Sequence, residues 1–473
     1  MKRCLASPVA MFLAFVPGCT ARVAGPNLGS LYDRAAQNQD DRRNPVIVIP
    51  GILGSRLLDE PTKRVVWGAF AGDYANPQTT DGARLVALPM MEGAALSELR
   101  DGVVPDGVLD RLKVSLLGLP VELNAYLHIL GTLGVGGYRD ELLARAGAVN
   151  YGGAHFTCFQ FGYDWRRDNV ENAKRLHQYI LEKRRYVQSE IEKRFGVKDA
   201  DVKFDIVAHS MGGLVARYYL MYGDADLPAD GSMPALTWAG AKYVDRAILV
   251  GTPNAGSVKG VVQLVEGATF APILPTYDQA VIGSMPSVYQ LMPRTRHHAV
   301  VVEGDLNAPP LDIYDVTVWE RMKWGLASPK CDRTLRRLLP DVSDPVARRR
   351  IARDHLRKCL DRAKHFGEAL DVPAAAPPGL ELHLFAADSI LTDGVLAVTS
   401  RGRLRVSQSY PGDGTVPRSS ALMDERIGDS WRPALRSPIP WKQVTFVFAD
   451  HLGMTKDPVF TDNLLFLLLE RGR

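Results

Sequence analysis

A chain of 473 residues, 46% hydrophobic and 23% charged, has ordinary globular composition and ample length for a large core. Its formal net charge of +4 is too small for its size to argue for nucleic acid, and no repeat period or low-complexity tract points to a solenoid or fibrous protein.

The N-terminus has the layout of a secretory signal: Lys2 and Arg3, an apolar run from Leu5 to Val16, then "VPGC" ending at Cys19. The run is too short to span a bilayer comfortably. Cysteine directly after a small residue resembles a bacterial lipoprotein signal, with Cys19 as the lipidated first residue; Pro17 departs from that pattern. The expectation is an exported protein, periplasmic or anchored at the outer membrane, otherwise secreted. Residues 1–18 are then the signal peptide and 19–44 a polar tether. An oxidising compartment permits a bridge between Cys331 and Cys359, whereas Cys158 in an apolar run packs as a small hydrophobe. No cysteine pair has metal-ligand spacing with histidines, so neither a metal site nor a cofactor is expected.

"PVIVIPG" from Pro45 reads as a buried strand ended by a glycine turn. "HFTCFQFGYDWR" from His155 is a second, followed by a long helical pattern from Asn169. "VKFDIVAH" is a third, running into a helix that opens at Met211, and "YVDRAILVGTP", "LELHLFAA" and "QVTFVFAD" are the fourth to sixth. "FTDNLLFLLLERGR" closes the chain as a helix on the sheet. Apolar strands alternating with helices predict an α/β fold with a mostly parallel sheet. Two stretches rich in helical pattern break the rhythm, at about 57–153 and 255–378. Both leave the sheet at strand C-terminal ends, where such folds bind ligands, and are read as cap insertions in a domain spanning 45–473.

The chemistry centres on "DIVAHSMGGLVARYYL". A serine at the tightest point between strand and helix is lifted clear of both, but its hydroxyl is a weak nucleophile without a base. In hydrolases of this architecture the acid and the histidine follow the serine in the chain. "YPGDGTVPRSS" places Asp413 between two glycines, and of ten histidines only His451, in "FADHLGM", lies beyond it. Ser210 as nucleophile, His451 as base and Asp413 as its orienter form the candidate triad; Asp388, without paired glycines, is the rival acid. The oxyanion hole calls for the Met211 amide at a helix N-terminus and one from "IPGILGS", where Ile52 is the candidate against a plain tight turn. Ala208 replaces the first glycine of the usual G-x-S-x-G, so the motif gains its weight from context. Leu53, Tyr163 and Trp165 are candidates for lining the substrate entrance; a buried Asp164–Arg166 pair with packed aromatics is the rival reading of that segment.

"VIVIPGILGSRL", "FGYDWRRDN", "AHSMGGLVARYYL" and "PGDGTVPRSS", in this order, resemble the lecithin:cholesterol acyltransferase family, which includes phospholipid:diacylglycerol acyltransferases and lysosomal phospholipase A2. The resemblance implies an α/β-hydrolase core with a cap and lid over an acyl pocket, the triad Ser210, Asp413 and His451, and oxyanion positions Ile52 and Met211. Two departures stand out. No cysteine lies between Cys19 and Cys158 to close the small disulfide lid of the animal members, and Ile52 stands where lysosomal members have an acidic residue.

The expected activity is a serine-dependent lipid acyl hydrolase or acyltransferase, distinguished by whether water or an alcohol accepts the acyl group. A carboxylesterase for small soluble esters and a catalytically silent lipid-binding protein are the rivals. The expected partners are a lipid ester and a membrane or lipid surface, with no nucleic acid. Twelve Lys/Arg against five Asp from Lys330 to Lys364 either meet anionic lipid or decorate solvated helices.

Overall fold

Val46–Ile49 (β1) are four successive β-branched residues with no solvent exposure, each burial worth about 1.5–3 kcal/mol. The structure, a computed structural model, describes residues 25–70, 73–109, 111–116, 119–124, 126–152, 155–269, 275–304, 309–427 and 432–470. The other strands of the central sheet are Cys158–Gln160 (β2), Phe204–His209 (β3), Val244–Val250 (β4), Glu381–Ala387 (β5) and Trp441–Val447 (β6). They stand in the order β6-β5-β4-β3-β1-β2, every neighbouring pair parallel. All six runs read as strands in the sequence enter this sheet.

The helices of nine residues or more are Leu28–Gln37 (α1), Leu127–Val135 (α2), Asn169–Phe195 (α3), Met211–Tyr222 (α4), Val258–Glu266 (α5), Pro345–Leu370 (α6) and Pro458–Leu469 (α7). Alternate strand residues face opposite ways. Ile47, Ile49, Ile206 and Leu249 pack with α3 to α6, while Val46, Val48, Val207 and Ile248 pack with α2 and α7. Both faces of β1, β3 and β4 are therefore covered, which is why these strands carry runs of consecutive apolar residues rather than a strict alternation.

The register sets the site. Ile49 of β1 lies beside Ala208 of β3, and Val250 of β4 beside His209. The loops leaving β1, β3 and β4 thus emerge together at one rim. An antiparallel pair, Ile390–Val398 with Leu404–Gly412, leaves the end of β5 and returns to it, pairing Ile390 with Gly412.

Several expectations require correction. The stretch 57–153 is helical only in part, at Thr80–Val86, Leu127–Val135 and Glu141–Arg145, and holds strands as well: Ser55–Asp59 pairs with Val65–Trp67 and Val103–Val108, and Arg111–Leu116 pairs with Leu119–Asn124. β-branched residues such as Val65, Val66, Val103 and Val104, punctuated by Pro and Gly, favour strands over the helical reading. The stretch 255–378 is mainly helical, as read. The polar tether does not run free through 25–44: α1 occupies part of it, capped by the Asn27 side chain. Its Tyr32 is buried and donates to Asp462 Oδ1 on α7 at 2.7 Å. The signal peptide and Cys19 lie outside the described residues.

Cys331 and Cys359 are both free and buried, so the permitted bridge is not formed; the Cys331 thiol donates instead to the Gly325 carbonyl at 3.0 Å. Cys158 packs as expected, 1% exposed. The basic stretch is largely paired within the protein. Arg349 meets Asp332, Arg350 meets Glu92, Arg357 meets Asp354, and Arg362 bridges Asp168 and Asp226. That favours charged helix faces over a lipid-binding patch.

Candidate active site

β3 hands over to α4 within one residue. Ser210 sits there with φ 53° and ψ −126°, a conformation strained for any side chain but glycine. Its amide donates to the Val250 carbonyl at 2.8 Å, which ties the turn to β4. The glycines after it serve close approach. A Cβ on Gly212 would lie 2.4 Å from the Pro50 carbonyl oxygen, and one on Gly213 would lie 2.0 Å from Thr252 Oγ1. Packing and exposure of the serine are thus one arrangement: α4 can lie against the loops after β1 and β4 only because those positions lack side chains.

His451 follows β6 and reaches across the rim. Its Nε2 lies 2.9 Å from Ser210 Oγ, and its Nδ1 lies 2.7 Å from Asp413 Oδ2. The histidine amide also donates to the Asp413 carbonyl, at 3.0 Å. Burial alone would raise the Asp413 pKa. The adjoining His451, with the Val416 and Thr415 amides donating to Oδ1, outweighs it and holds the carboxyl below the usual range. An ionised Asp413 accepts from Nδ1–H, which leaves Nε2 to accept the Ser210 proton. The rival, Asp388, points elsewhere, 3.6 Å from Arg418. The hairpin after β5 decides between them, because it carries the chain out and sets Asp413 back beside Ile390.

Met211 follows the serine as the first residue of α4, and Ile52 lines the cavity that opens beside it. Gly51 approaches so closely that a Cβ there would lie 2.7 Å from Ser210 Cβ. Next to the serine opens a cavity of about 650 Å³. Ile52, Leu53 and Trp165 line it, and Trp67, Met285, Val288 and Leu291 extend its apolar wall. Residues of both stretches, 57–153 and 255–378, therefore contribute to it.

Tyr163 does not line this cavity. It is fully buried, with its hydroxyl donating to the Pro50 carbonyl at 2.8 Å, so it braces the loop after β1 from behind. Trp165 both lines the cavity and donates from Nε1 to the Ser55 carbonyl at 3.2 Å. The Asp164–Arg166 pair is buried as the rival reading had it, at 2.7 Å, with Asp101 as a second carboxylate 2.9 Å from Arg166. Tyr126 and His209 also border the cavity and were not legible as site residues. His209 stood in view as the neighbour of Ser210, but no pattern identifies Tyr126.

Residues 148–324 match the lecithin:cholesterol acyltransferase family. The match agrees with the family resemblance read from the sequence. It spans Ser210 and the turn after β4, and ends before Asp413 and His451. One chain of the Tle4–Tli4 complex is similar in structure, with a TM-score of 0.53 and 16% identity over 90% of this chain and 98% of that one. Mature lipase BlEst2 of Bacillus licheniformis is more distant, with a TM-score of 0.32 and 12% identity over 92% of this chain and 94% of that one. Lipase 1 of Pelosinus fermentans has a TM-score of 0.33 and 12% identity, over 91% of this chain and all of that one (100%). No curated protein matches the chain in sequence. The fold is that of an α/β-hydrolase, and the family match supports an enzyme that acts on esters.

Proposed function

We propose that the protein is an exported lipid acyl hydrolase or acyltransferase that forms an acyl-enzyme on Ser210. The observation that carries the reading is Nε2 of His451 at 2.9 Å from Ser210 Oγ, beside a largely apolar cavity wide enough for an acyl chain. Ser210 Oγ attacks the ester carbonyl carbon as its proton passes to Nε2. The oxyanion receives the Ile52 and Met211 N–H groups, the second reinforced by the N-terminus of α4. The intermediate collapses as His451 gives that proton to the departing alcohol. A water or a second alcohol, deprotonated by His451, then attacks the acyl carbon, and as the bond to Ser210 breaks His451 gives that proton to Oγ, restoring the serine. Tight association with a lipid surface is consistent with Leu452, which lines the cavity yet is 56% exposed, and with Leu391, 78% exposed beside the lining residue Ile390. The N-terminal segment with Cys19 would supply export and an anchor.

The test is mass spectrometry of products from vesicles of mixed phospholipid and sterol, with Ser210→Ala as control. Free fatty acid alone assigns hydrolysis; a new ester assigns transfer. Neither product from the wild type, or the same products from Ser210→Ala, would overturn the proposal.

A further inference from the structure

Two loops must be held in register around Ser210: the one carrying the Ile52 amide and the one carrying His451. A line of hydrogen bonds joins them. The Gly51 amide donates to Tyr126 Oη at 2.7 Å, Tyr126 Oη lies 3.0 Å from His209 Nδ1, and His209 Nε2 lies 3.0 Å from the His451 carbonyl oxygen. The chemistry leaves one direction for every proton. A carbonyl oxygen only accepts, so Nε2 of His209 bears the hydrogen; in the neutral ring Nδ1 must then accept. Tyr126 therefore donates to Nδ1 and uses its oxygen to accept from Gly51. Both side chains are buried, Tyr126 3% and His209 1% exposed, with their rings edge to face at 5.5 Å. Burial and the neighbouring His451 depress the His209 pKa to about 3, consistent with a ring that stays neutral.

We infer that Tyr126 and His209 are positioning residues for the proposed acyl transfer: together they fix the oxyanion loop and the His451 loop relative to one another. Gly51 precedes Ile52, so anchoring the Gly51 amide sets where the Ile52 amide points. Anchoring the His451 carbonyl sets the backbone from which the imidazole reaches Ser210. The residue before the nucleophile is thus histidine because it needs one donor and one acceptor on opposite sides of a flat ring. The inference rests on the function proposed above.

The experiment measures labelling of Ser210 by a fluorophosphonate and turnover of a soluble p-nitrophenyl ester by the full chain, in Tyr126→Phe, His209→Leu, His209→Gln and the Tyr126→Phe/His209→Leu double variant. Thermal unfolding accompanies each. The expected result is a loss of about 10-fold to 100-fold in labelling rate and kcat for each single variant, with KM within about twofold. The double variant should lose little more than the worse single one, since the same line is already cut. His209→Gln, which keeps an N–H for the His451 carbonyl, should recover activity relative to His209→Leu. Variants that label at the wild-type rate would overturn the inference, as would losses that multiply independently or a Gln variant no better than Leu. A wild type that fails to label would instead defeat the proposed function, and this inference with it.

Discussion

Asp413→Asn separates the orienting role of the acid from its structural role. Asp413 is 2% exposed and accepts from His451 Nδ1 at 2.7 Å, Thr415 N at 2.8 Å and Val416 N at 2.6 Å. Asparagine is nearly isosteric. Its Oδ1 still accepts from the two amides, so the loop after the 404–412 strand keeps its shape. Its amide nitrogen, however, now faces Nδ1 as a donor. The imidazole is driven to the tautomer with hydrogen on Nε2, which then confronts Ser210 Oγ with a donor where an acceptor is needed. The expected loss in kcat is about 10⁴-fold, or about 5 kcal/mol of transition-state stabilisation, with thermal stability little changed. Asp413→Ala should lose activity similarly but also stability, since it strands two buried amides at about 1–3 kcal/mol each. Steady-state kinetics on a soluble chromogenic ester, with melting curves for each variant, make the check. Asp413→Asn retaining activity within tenfold of the wild type would refute the assignment of tautomer and acid.

Arg166→Met should destabilise the protein by about 3–5 kcal/mol in denaturant unfolding, because it takes the paired cation away from the buried Asp164 and the half-buried Asp101. Stability should fall as pH is lowered below 6.5. Burial depresses His209 to about 3 and His355 to about 4, so between those values and 6.5 the unfolded chain binds protons that the native state refuses. At pH 5 each contributes a loss of about 2 kcal/mol relative to neutral pH, and His355→Gln should flatten the pH dependence of chemical denaturation. Reductant should leave the melting temperature unchanged, since Cys331 and Cys359 are free; a fall on reduction would contradict the structure.

Most of the sheet was readable because β1, β3, β4 and β5 are buried on both faces and so appear as largely apolar runs between helical patterns, whereas β6 at the sheet edge is only partly buried. Ser210, Asp413 and His451 were readable because chain order and glycine context narrow the choice. What escaped notice depends on contacts between distant segments. The stretch 57–153 takes its strands from pairing partners as far apart as Leu58 and Val104, which no local period reports. Tyr163 had the composition of a pocket residue but spends its hydroxyl on the Pro50 carbonyl. Tyr126 meets His209 across 83 positions, and no motif marks the tyrosine end. α1 lay in a polar stretch whose single buried anchor, Tyr32, finds its partner 430 residues away.

The most direct measurement is acid-quenched intact-mass and peptide-mapping spectrometry of the protein mixed with excess p-nitrophenyl butyrate. The account predicts a butyryl adduct on the peptide containing Ser210 in the wild type and none in Ser210→Ala, with slow accumulation in His451→Ala. An adduct on another residue, or undiminished ester turnover by Ser210→Ala, would contradict it.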